Sequence, residues 1–173
     1  ICLYCLLENI ALTYTAASNV AVIISAAPFF TAILSRLILK EHELGGPFFI
    51  GFMIALSGIC LISFQGSQLQ LNPKGDLLAL AAAFMWGCYA VLTRKIGQFG
   101  HHTILSTRRI FLYGIIFTIP AAFLMNIKWD ISRFQNPVYL GNILFLGLGA
   151  SALCFVTWNY AVKILGAVNT SVY

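Results

Sequence analysis

The chain has 173 residues, of which 60% are hydrophobic and only 9% charged. A soluble domain carries about 25% charged residues, so no water-exposed surface can be built here and the chain reads as an integral membrane protein. The net charge of +5, ten Lys and Arg against five acids, then suggests cytoplasmic loops rather than nucleic-acid binding.

A helix crossing about 30 Å of hydrocarbon needs roughly 20 apolar residues. In chain order the predicted spans are about 1–13, 18–39, 47–64, 76–93, 104–127 and 138–163, and a seventh begins at 167–173. Lipid offers backbone groups no partners, so such runs are helices or closed barrel strands. Their length and lack of strict alternation choose helices. The connections carry turn residues: KEHELGGP at 40–47, QGSQLQLNPKGD at 65–76, RKIGQFGHH at 94–102 and NIKWDISRFQNP at 126–137. The start at Ile1 shows no charged leader, and both ends look cut, so an internal fragment of a longer protein is expected. Cys2, Cys5, Cys60, Cys88 and Cys154 all lie in apolar stretches. A thiolate is disfavoured in hydrocarbon, so the C-x-x-C spacing of Cys2 and Cys5 reads as small apolar residues, not a redox pair.

Alternating the spans across the bilayer puts Arg36, Lys40, Arg94, Lys95, Arg108, Arg109 and Lys163 on one side. Lys74, Lys128 and Arg133 fall on the other. The richer side is predicted to be cytoplasmic. The stretch ENIALTYTAASNVAVI at 8–23 is echoed by WNYAVKILGAVNTSVY at 158–173. At an offset of 150, Asn9 falls on Asn159, Ala11 on Ala161, Ala17 on Ala167, Asn19 on Asn169 and Val22 on Val172. The copies follow spans of opposite direction, and the inward copy alone carries a cation, Lys163. That is the pattern of inverted-topology repeats.

Three stretches resemble the EamA-type domains of the drug/metabolite transporter superfamily: 11–41, with its Ala-Leu-x-Tyr-Thr turn, interior Pro28 and closing Glu41; 75–95, with Trp86-x-x-Tyr89 and closing Arg94-Lys95; and 146–171. The resemblance implies two five-helix halves. Residues 1–66 would end the first repeat and 75–173 would begin the second. It also implies export of amino acids, related metabolites or drugs, in a bacterial inner (plasma) membrane. Glu8 departs from the family's usual apolar or neutral residue at its position.

Candidate site residues follow from polarity in an apolar setting. Trp86 and Tyr89 share one face of the fourth span and can line a solute path or simply pack. On the same span Ala79, Ala83 and Gly87 form a small-residue stripe suited to close helix packing. Asn9, Asn159, Asn19 and Asn169 need partners in lipid, so they are expected to face protein, bridging helices or touching solute. Trp158 and Ser151 share a span with Asn159. Pro28 is expected to kink the second span, as a hinge or as tolerated packing. Glu8 is the acid inside an apolar run, while Glu41, Glu43, Asp76 and Asp130 lie at boundaries. It is a candidate for proton coupling. Arg108 and Arg109 set orientation. His101 and His102 lack further ligands for a metal.

The function expected is secondary transport by alternating access, with the lipid bilayer and a small-molecule solute as partners and no cofactor or metal. The alternative is a non-transporting scaffold or receptor subunit. Catalysis is not expected, because no H-E-x-x-H, G-x-S-x-G or P-loop motif is present.

Overall fold

The computed structural model describes residues 1–40, 45–64, 72–124 and 135–172. Glu41, Glu43, Lys128, Trp129, Asp130, Arg133 and the side chain of Cys60 lie outside this description. The described residues form helices: α1 Cys2–Tyr14, α2 Ala17–Ile24, α3 Ala27–Ile38, α4 Gly46–Phe64, α5 Pro73–Gln98, α6 Thr103–Leu124, α7 Pro137–Leu144, α8 Cys154–Leu165 and α9 Ala167–Val172. A π-helical segment, Phe145–Leu153, joins α7 to α8.

Among the described residues, four spans are long and apolar enough to cross a membrane: Ala17–Ile38, Pro73–Gln98, Thr103–Phe123 and Pro137–Leu165. Cys2–Tyr14 and Phe48–Gly58 are shorter apolar helices. Apolar side chains such as Ile115, Ile116 and Phe117 on α6 and Phe145 and Leu148 on the π segment are exposed, as a lipid-facing surface requires.

Two of these spans are not regular α-helices throughout. The second predicted span is broken at Ser25–Ala26, and Pro28 sits in the first turn of α3 rather than in a bent helix interior. A proline lacks an N–H and clashes with the carbonyl four residues back, here Ile24, so the ladder fails just upstream of the ring. The sixth span opens into the π segment, which contains Gly147 and Gly149. Glycines weaken the α-ladder there.

Helix α5 is central, packed against α1, α2, α3, α8 and α9. Without a hydrophobic force between helices in lipid, close packing of small residues supplies the adhesion. Ala79, Ala83 and Ala90 are fully buried on α5. At Gly87 a Cβ would lie 3.0 Å from the Thr31 backbone nitrogen.

Contacts at the helix ends fix direction. Asn72, at the start of α5, donates from Nδ2 to the Tyr14 carbonyl at the end of α1, at 2.8 Å. At the other end of α5, Arg94 donates to the Val162 and Lys163 carbonyls closing α8. This capping adds a donor to the last carbonyls of α8 and sets a cation at the negative end of a helix dipole. Lys163 Nζ donates to the His101 carbonyl at 3.1 Å. Helix α1 therefore runs towards one end of the bundle and α8 towards the other. Gly166, at φ 94°, then turns the chain from α8 into α9, a backbone setting that favours glycine. Leu39, at the end of α3, packs with Ala90, Val91, Val162 and Ala167. Ala11, Val20 and Ala79 form the core at the opposite end. Arg36, Lys40, Arg94, Lys95 and Lys163 thus share one end, which the positive-inside rule assigns to the cytoplasm.

Candidate functional site

A cavity of about 650 Å³ lies where the α2–α3 break, α1, α4, α5, α8 and α9 meet. Trp86 stands near the middle of the 26-residue α5, so the cavity sits at mid-span. Its wall includes Tyr4, Ser25, Pro28, Phe52, Trp86 and Trp158. Three rings pack in sequence: Tyr4 on Trp86 with centroids 5.0 Å apart, and Trp86 on Trp158 at 5.2 Å. Phe155 closes on Trp86 at 5.9 Å.

Tyr89 touches the Trp86 ring at 5.4 Å, yet its hydroxyl serves a different purpose. It donates to Asn159 Oδ1 at 2.7 Å. Asn159 Nδ2 donates to Thr107 Oγ1 at 2.9 Å, and Thr107 Oγ1 donates to the Thr103 carbonyl at 2.8 Å. Tyr89, Asn159 and Thr107 are all buried. This chain ties α5, α8 and α6 together on the cation-rich side of the aromatic wall. The hydroxyl of Thr93, one turn along, lies beside Tyr89 but meets no partner at hydrogen-bond geometry.

The structure therefore gathers Trp86, Trp158 and Pro28 at the cavity and places Tyr89 and Asn159 in the junction beneath it. Asn9 and Ser151 lie apart from both. Asn9 is exposed on α1 and donates to the Cys5 carbonyl of its own helix at 2.7 Å. Ser151, on the π segment, lines a groove against α6 with Phe111 and Arg108. The four repeat-related amides differ in burial. Asn19 and Asn159 are buried, but Asn9 and Asn169 are exposed. Asn169 donates to the Leu165 carbonyl at 3.1 Å. Each of these two amides thus gives one N–H to the carbonyl one turn back on its own helix.

Glu8 is half-buried, and its carboxylate lies beside Tyr4, one turn earlier on α1. It thus connects to the cavity through a wall residue. Sequence reasoning missed Tyr4, Ser25 and Thr107. The i to i+4 spacing of Tyr4 and Glu8 was the available signal for the first. Thr107 carried none, since threonines in membrane helices commonly bond their own backbone.

A mid-span aromatic cavity within a polytopic helical bundle, with spans of opposed direction, defines a membrane transport fold. The chain belongs to the EamA-like transporter family, whose family model matches residues 1–64 and 73–173. It is 28% identical over 170 residues to an uncharacterized transporter of Archaeoglobus fulgidus, covering 96% of this chain and 56% of that protein. It is 30% identical over 169 residues to the uncharacterized transporter YyaM of Bacillus subtilis, covering 95% and 54%. A probable terminal-alkyne amino-acid exporter of Streptantibioticus cattleyicolor is 26% identical over 171 residues, covering 97% and 54%. The chain spans about half the length of these relatives. One solved crystal structure superposes with a TM-score of 0.73 at 19% identity, over 98% of this chain and 59% of that one. That likeness shows the fold.

Proposed function

We propose that the protein containing this chain is a secondary exporter of small organic solutes, amino acids or related metabolites among them, working by alternating access in a bacterial inner membrane. The observation that carries the reading is the cavity of about 650 Å³ lined in part by Tyr4, Trp86 and Trp158 at the α2–α3 break. Ligand sites of roughly 300–1,000 Å³ with mostly apolar walls suit small molecules. A half with opposed spans can rock against its counterpart about a fixed site. The break at Ser25–Ala26 and Pro28 supplies the hinge. Glu8, beside Tyr4 on α1, carries the coupling proton. The exporter named among the relatives supports the substrate class, and bacterial relatives support the membrane.

The test is efflux by the full-length protein in proteoliposomes. Trp86→Ala is expected to cut amino-acid or amine efflux at least ten-fold while membrane insertion stays intact. Glu8→Gln is expected to remove the response to an imposed proton gradient. Normal insertion with unchanged efflux in Trp86→Ala would show that the rings only pack. Absence of any efflux by the unmodified, inserted protein would favour a scaffold or receptor subunit.

A further inference from the structure

A threonine inside a membrane helix can satisfy its hydroxyl on the carbonyl one turn back. Thr31, Thr107, Thr118, Thr157 and Thr170 all do so, at 2.7–2.9 Å. Thr93, in the body of α5, does not. It is only 8% exposed, and its Oγ1 meets no protein partner at hydrogen-bond geometry. An unpaired buried hydroxyl is costly, so this one requires a partner off its own helix.

Asn159 has a spare donor in the same place. Its Nδ2 carries two hydrogens, and one goes to Thr107 Oγ1 at 2.9 Å. The other meets no acceptor among the described residues, although Asn159 is 3% exposed. Thr107 Oγ1 donates to the Thr103 carbonyl and accepts from Asn159, which leaves it one lone pair. Thr93, Thr107 and Asn159 all line a pocket of about 20 Å³ between α5, α6 and α8, with Ser106 and Lys163 also on its wall. Helix α6 packs on α8 and α1 more than on α5, so polar groups facing the gap between α5 and α6 are not brought into direct contact. A volume of about 10–15 Å³ suffices for one water, provided about two to four polar partners surround it. This pocket meets both conditions and is far too small for an organic solute.

We propose that the pocket binds a single water molecule, which accepts from the second Asn159 N–H and joins the Thr93 hydroxyl to Thr107, so that α5, α6 and α8 share one polar centre. Water both donates and accepts, which this mixture of groups demands. A small cation would share the pocket with the side chain of Lys163, whose ammonium donates to the His101 carbonyl. A small anion would face the remaining lone pair of Thr107. The proposal does not rest on the transport reading, and its test needs no solute.

The experiment compares thermal unfolding of the full-length protein with that of Thr93→Val, which keeps the branched shape and removes the hydroxyl. A bridging water predicts that Thr93→Val lowers the midpoint. A dry pocket predicts the opposite, because the substitution then removes an unpaired buried hydroxyl; an equal or higher midpoint overturns the proposal. The loss is expected to persist in a Tyr89→Phe background. If it vanishes there, Thr93 pairs directly with Tyr89 and no water is needed. The loss is also expected to be the same when sodium is replaced by N-methylglucamine and chloride by gluconate. A loss that follows either ion would make that ion the occupant and overturn the water. Should Thr93→Val fail to fold, an experimental density map of the unmodified protein fine enough to show ordered waters decides: a peak between Thr93, Thr107 and Asn159 supports the proposal, and its absence overturns it.

Discussion

Replacing Gly87 by leucine is expected to force α5 off α3 and to destabilise the bundle more than any other single change on the central helix. A Cβ at Gly87 would sit 3.0 Å from the Thr31 backbone nitrogen and 3.1 Å from Phe30 Cβ. Backbone cannot rotate away as a side-chain end can. Overpacking of this kind costs about 1–3 kcal/mol. Alanine is expected to fall within that range, and leucine, with three further carbons in the same space, beyond it. Gly141, on exposed α7, has open space around its Cβ. Gly141→Leu should therefore be neutral or slightly stabilising, since glycine in a helix interior costs about 1 kcal/mol relative to good helix formers. Thermal unfolding in detergent measures all three. Equal midpoints for Gly87→Leu and Gly141→Leu would mean that α3 and α5 are not in close contact.

The second large effect is expected at Asn159. Asn159→Leu keeps the volume but leaves the buried Tyr89 hydroxyl without its acceptor. Thr107 keeps its bond to the Thr103 carbonyl, so the cost falls mainly on Tyr89. Interhelical hydrogen bonds in membranes average only about 0.6 kcal/mol. An orphaned buried hydroxyl costs about 1–3 kcal/mol, and this term decides the outcome. Tyr89→Phe should cost less. Combining the two should recover part of the Asn159→Leu loss, because no hydroxyl then remains to be satisfied. Strictly additive losses in the double variant would show that the two side chains act independently.

Much of the fold was legible because lipid makes the code simple. Apolar length pointed to the four long spans among the described residues, and Arg36, Lys40, Arg94, Lys95 and Lys163 lie towards one end of the bundle. The stripe Ala79, Ala83, Gly87 announced the close face of α5, since in a membrane only small residues permit backbone approach. Pro28 announced a disturbance of the second span. That it would be a full break at Ser25–Ala26 depended on the local carbonyl geometry, which a pattern of residue types does not carry. The π segment was illegible for a similar reason: glycines weaken a ladder without saying how it rearranges.

The candidate site was half legible. Trp86 and Trp158 stood out as polar-tipped rings in apolar spans, and the cavity brings them together. Tyr89 and Asn159 stood out equally, but their polar atoms satisfy each other, a tertiary fact invisible along the chain. Asn9 matched Asn159 in the repeat, yet it donates to a carbonyl of its own helix. A shared position in a repeat transmits the residue and not its neighbours.

The central claim is a mid-membrane cavity at the α2–α3 break that opens alternately to the two sides. Its most direct test is accessibility of Ser25→Cys in a variant of the full-length protein lacking its other cysteines, reconstituted in vesicles. A membrane-impermeant methanethiosulfonate reagent is applied from one side at a time, with Lys74→Cys and Lys95→Cys as references for the outer and cytoplasmic ends. The account predicts that Lys74→Cys reacts from outside only, Lys95→Cys from inside only, and Ser25→Cys from both. Reaction of Ser25→Cys from neither side, or from one side alone whatever solute gradient is imposed, would contradict it.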